Sequence, residues 1–91
     1  MSETEALRRI HHALETGKTE LEITHLKLER LPEALFRLSN LEMLILHNNR
    51  LSSLPPGLWG FERLEGLFLE FNQLTALPPE VSRLSRTISI R

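Results

Sequence analysis

The sequence predicts a short α/β fold: an N-terminal helix followed by three stacked strand-and-turn units whose strands share one parallel sheet. Three observations predict it. The chain repeats itself with a period of 23 residues, each repeat carries an apolar triplet of alternating pattern, and the first 17 residues stand outside the repeat with the apolar spacing of a helix. Its 91 residues make at most one small domain, which buries about 60 % of its unfolded surface. A large enzyme core is excluded.

The helix comes first, as an N-terminal capping helix within residues 1–17. Ser2 and Glu5 have the spacing of a capping box, Ala6, Leu7, Ile10, Ala13 and Leu14 share one face, and Gly17 is placed to stop the helix after residue 16. His11 and His12 lie beside and opposite that face and read as solvated.

The repeats follow as 18–40, 41–63, 64–86 and a partial 87–91. Residues 41–63 and 64–86 are identical at ten of 23 positions and share the pattern LxxLxLxxNxLxxLPxxLxxLxx. Residues 18–40 keep Leu21, Ile23, Leu28, Leu31-Pro32, Leu35 and Leu38 but have Lys18 and Leu26 where Leu and Asn would fall. Within each unit the triplets Leu21/Ile23, Leu44/Leu46 and Leu67/Leu69 show the period of two of a strand with one buried face. The LPxxLxxL run has a spacing of three, and because proline opens a helical turn but does not sit inside one, the return segment is predicted as a brief helix or 3₁₀ turn. A single unit cannot bury its leucines, whereas stacked copies bring equivalent leucines together. Asn49 and Asn72 fall where each strand turns away, so their amides are expected to bond backbone groups that the turn leaves unpaired.

These residues resemble the leucine-rich repeat family, in its 23-residue LPxxL class seen in bacterial and Ras-group-type proteins. The resemblance covers about residues 18–91, with two copies that match at every diagnostic position. It implies a short right-handed leucine-rich repeat solenoid whose parallel concave sheet binds a protein or peptide. After Arg86, Ile90 falls where the first inward residue of a fourth strand belongs, and the open edge of that strand is expected to pair with another copy or with a continuation of the chain.

Function is expected on the outward side chains of the strands. By register these are Glu20, Glu22, Thr24 and His25 in the first repeat, Met43, Ile45, His47 and Asn48 in the second, and Gly66, Phe68, Glu70 and Phe71 in the third. Met43, Ile45, Phe68 and Phe71 form an apolar cluster rimmed by Glu20, Glu22, Glu42, Glu65 and Glu70, the composition of an interaction hot spot. The partner-binding set is thus Met43, Ile45, His47, Phe68, Glu70, Phe71, Glu20 and Glu22, and the partner is expected to carry basic and apolar residues. A cross-strand Ile45–Phe68 pair that merely stabilises the sheet is the plainer alternative.

Thr24, His47 and Glu70 share one outward position on three strands and mimic a nucleophilic triad, but an open sheet supplies no water-excluded cleft. His25, His47 and Glu70 have ligand chemistry without the preset geometry zinc requires. No catalytic, cofactor or metal residues are assigned. Phe36 and Trp59 occupy equivalent positions in successive return segments and are expected to stack on the far side of the sheet. Eleven Lys and Arg against twelve Glu, with no Asp, argue against a nucleic-acid partner. The absence of Cys excludes disulfides, and no apolar run approaches the roughly 20 residues of a membrane span. A cytoplasmic protein-interaction module is the expectation, or else a structural or regulatory segment of a longer signalling protein with a kinase, GTPase or ligase domain; a homodimer through the C-terminal strand edge is the further possibility the sequence raises.

Overall fold

The computed structural model describes residues 2–75, 79–80 and 89–90. Helix α1 (Ser2–Thr16) opens the chain. It ends where Gly17 takes φ 68° and the Lys18 N–H reaches back to the Ala13 carbonyl at 3.2 Å, a closure that satisfies an orphan carbonyl of the last turn. Ala6, Ile10 and Ala13 are buried against the strands and return segment that follow, while Leu7 and Leu14 are only half-buried, so the predicted apolar face splits into a seam and two flanks. The expected capping box of Ser2 and Glu5 rests on a side chain outside the described residues; what is seen at Glu5 is an ion pair. Its carboxylate is held by Arg9 Nε at 3.0 Å and Arg8 Nη2 at 3.1 Å, both about one turn along its own face. The side chain of Ser2 lies outside the described residues.

Strands β1 (Glu20–Glu22), β2 (Met43–Ile45), β3 (Gly66–Leu69) and β4 (Ser89–Ile90) form one parallel sheet in that order. The first three pair at the repeat length: Leu21 lies opposite Leu44 and Leu44 opposite Leu67. Inward residues Leu21, Ile23, Leu44, Leu46, Leu67 and Leu69 are all buried, as the alternation requires. Each such side chain contributes roughly 1.5–3 kcal/mol on leaving water, which is why leucine can hold this chain together without disulfides.

Between strands the chain returns through two 3₁₀ helices, Glu33–Arg37 and Pro56–Gly60. Pro32 and Pro55 precede them in extended conformation, and their carbonyls accept the Leu35 and Leu58 N–H at 3.0 and 3.2 Å. Leu35 and Leu58 are fully buried behind the sheet. The two return helices touch each other, and α1 touches both β1 and the first of them.

Two expectations need correction. Phe36 does not stack on Trp59: its ring lies on Phe61, centroids 5.9 Å apart and planes 27° from parallel, above Gly57 where no side chain intervenes. Ile90 pairs with Leu69 and not with Leu67, so β4 joins two residues earlier than a 23-residue period dictates. The part of the third repeat's pattern that falls on Leu77, Pro78, Val81 and Leu84 lies outside the described residues. Among the described residues, no helix is long and apolar enough to cross a membrane.

Candidate interaction face

The outer face of the sheet is built in rows that run across the strands. Glu20, Met43 and Gly66 form the first row and Glu22, Ile45 and Phe68 the second. Thr24, His47 and Glu70 follow, then His25, Asn48 and Phe71, held in step by the His25 N–H on the His47 carbonyl at 3.2 Å and the Asn48 N–H on the Glu70 carbonyl at 2.9 Å. Seven of the eight residues expected to bind a partner therefore fall at alternating positions of neighbouring turns, and Phe71 follows Glu70 directly, past the end of β3. They are not equally available. Glu20 and Glu22 are exposed, Met43, Ile45, His47, Phe68 and Glu70 are half-buried, and Phe71 is 59 % exposed.

Gly66 explains the partial burial. A Cβ there would stand 2.8 Å from Met43 Sδ and 3.3 Å from Phe68 Cε2, so the missing side chain leaves a cradle into which the thioether and the ring both fold. The apolar patch is prepacked, a platform and not a row of free side chains. His47 meets Phe68 edge-on, with centroids 6.0 Å apart and planes at 67°. Its Nδ1 accepts the Glu70 N–H at 3.2 Å, which turns Nε2 toward the Glu70 carboxylate at 3.7 Å. An imidazole so fixed joins neighbouring turns. Neither ring nitrogen is directed at the Thr24 hydroxyl, so the triad-like row has a structural use. Among the described residues no cluster of three His or Glu side chains is placed to hold a metal ion.

The turns behind this face are set by the asparagines. Asn49 Oδ1 accepts the Leu26 and Leu28 N–H, both at 3.2 Å, and its Nδ2 donates to the Ile23, Leu46 and His47 carbonyls at 2.9, 3.1 and 3.3 Å. Asn72 repeats the arrangement one unit on, accepting from Leu51 at 3.1 Å and donating to Leu46 at 2.8 Å and Leu69 at 3.2 Å. Each amide thus bonds the preceding repeat, and Leu26, with no repeat before it, packs half-buried against the core instead.

Two features were not foreseen from sequence. His25, Asn48 and Phe71 all adopt left-handed backbone, φ 60°, 59° and 61°, although none is glycine. For a bulky residue that conformation costs about 1–2 kcal/mol. Secondly, α1 and β1 flank an open groove of about 870 Å³ lined by Arg8, His11, His12 and Lys18 on one side and Glu20, Glu22 and Thr24 on the other. Arg9 ties its walls, donating from Nη1 to the Glu22 carbonyl at 3.1 Å. The outer face therefore runs on past β1 to the helix.

A family model described as leucine rich repeat matches residues 19–80, more than half of the chain. The chain belongs to the leucine-rich repeat family. No curated protein matches it significantly. Leucine-rich repeat domains generally mediate protein–protein interaction and are typically non-enzymatic. In this leucine-rich repeat chain the repeated pattern accounts for the inward leucines, the return prolines and the asparagines; the twelve outer positions are among those that the pattern leaves unspecified.

Proposed function

We propose that this chain is a short leucine-rich repeat solenoid, capped by α1, that binds a protein or peptide partner on the outer, concave face of its sheet. One observation carries the reading: the twelve outer positions hold three Glu, no Lys and no Arg around the Met43, Ile45, Phe68 and Phe71 patch. An apolar platform within a carboxylate rim suits a partner with Lys or Arg beside apolar anchors, since complementary charge speeds encounter and fixes register. The absence of cysteine fits a reducing compartment, so we place the protein in the cytoplasm.

The test is a pull-down with wild type, the Phe68→Ala/Phe71→Ala double variant and the charge reversal Glu20→Lys/Glu22→Lys. Glu20 and Glu22 are exposed, so their reversal leaves the fold intact while inverting the rim. Partners retained by wild type and lost by both variants support the reading. Retention by both variants sinks it.

A second reading rests on β4, which among the described residues has one strand neighbour in the order β1-β2-β3-β4. A strand with a free edge is a template for pairing, and a homodimer formed there would register in sedimentation as a mass that rises with concentration. A constant monomer mass removes it.

A further inference from the structure

Positions 25, 48 and 71 form one row, and the backbone is left-handed at each of them. Histidine and asparagine adopt that conformation readily, whereas a bulky aromatic residue does so only under strain. The second repeat makes the same turn as Asn48-Asn49 that the third makes as Phe71-Asn72, so the turn itself does not call for a ring. Core packing does not call for it either. Phe71 stays 59 % exposed and is the one large apolar side chain exposed among the described residues. Strain and exposure both weigh against folding, and strained positions persist where function requires them.

We propose that Phe71 is the anchor of the interaction face, held out by its left-handed turn to receive a basic segment of a partner protein. The proposal rests on the reading of the outer face as a binding surface and adds which residue carries the binding and what lies on it. Charge decides the occupant. Glu20 and Glu22 are exposed on β1, two strands from Phe71, and none of the twelve outer positions is Lys or Arg, so the ring offers an incoming guanidinium or ammonium a π-face while β1 supplies counter-charge further along the same segment. The fixed turn also spares the complex the cost of ordering the anchor on binding.

The probe is a set of peptides recovered from a random displayed library of about 12 residues by the wild-type chain, a length that covers a three-strand face. Their affinity is measured for wild type, Phe71→Asn, Phe71→Ala and Glu20→Gln/Glu22→Gln, and each variant is melted. Recovered peptides carry Lys or Arg beside an apolar residue, and Phe71→Asn weakens them at least tenfold. Phe71→Asn nonetheless melts no lower than wild type and roughly 4 °C above Phe71→Ala, because asparagine accepts the turn that alanine does not. Unchanged affinity in Phe71→Asn with weakening in the Glu pair overturns the anchor and leaves the face standing. Unchanged affinity in both, or failure to recover any peptide, overturns the face and the anchor together. An Asn variant that melts below the Ala variant overturns the strain.

Discussion

Asn49 and Asn72 hold the same place in successive repeats but differ in burial: Asn49 is 6 % exposed and Asn72 half-exposed. Removing the amide of Asn49 orphans the Leu26 and Leu28 N–H groups and the Ile23 carbonyl, groups that water reaches poorly. Asn49→Ala is expected to cost roughly 3 kcal/mol, and Asn72→Ala about half as much, because water can re-pair what the latter leaves. Urea midpoints at constant slope measure both, and equal losses would contradict the argument from burial. Two glycines make a parallel contrast. A Cβ at Gly57 meets the Phe36 ring at 3.0 Å, and that ring is pinned on Phe61, whereas a Cβ at Gly66 meets the flexible end of Met43. Gly57→Ala should therefore cost about 1–3 kcal/mol by overpacking, and Gly66→Ala under about 1 kcal/mol while pushing Met43 out of its cradle. The same urea series distinguishes them.

At the scale of elements, α1 is tied to the repeats through its buried seam. Ile10 is fully buried, and Ile10→Ala is expected to cost about 3 kcal/mol, while Leu7→Ala, at a half-buried flank, costs about 1 kcal/mol. Thermal or urea unfolding reads both values, and equal effects would mean that the helix packs less specifically than Ala6, Ile10 and Ala13 indicate. Much of this level was legible in the sequence. Strands announce themselves by alternation, return segments by proline, and the helix stop by Gly17, since each is a local consequence of backbone geometry. What escaped is what depends on a neighbour. A repeat position says where Phe36 sits in its unit but not that the Phe61 ring reaches it before Trp59 does. Nor does an alternation count reveal that an absent side chain at Gly66 lets Met43 and Phe68 sink halfway into the sheet. The left-handed row was hidden because glycine, its usual marker, is missing at residues 25, 48 and 71. For the interaction face, register could be read but availability could not.

Taken whole, the molecule is a stack in which α1 meets β1 and each strand meets the next, with strand order equal to chain order. Stability in such a stack is close to a sum of unit and nearest-neighbour contributions, so either end can open while the other stays shut. A small domain could instead open all at once, and amide exchange decides between these. The Ile23 N–H, bonded to the Ile45 carbonyl at 2.9 Å, reports the helix end, and the Gln73 N–H, bonded to the Leu51 carbonyl at 2.9 Å, reports the third repeat. If the ends open independently, Ile10→Ala removes stability from the helix end alone. Its loss of about 3 kcal/mol then speeds exchange at Ile23 by roughly 100-fold and leaves Gln73 unchanged. The Leu46 amide, bonded to Phe68 at 2.8 Å with a strand on either side, should exchange slowest of the three, because opening must pass through one end to reach it. Equal acceleration at Ile23, Leu46 and Gln73 would mean that the repeats unfold as one unit and that the additive stack is the wrong description.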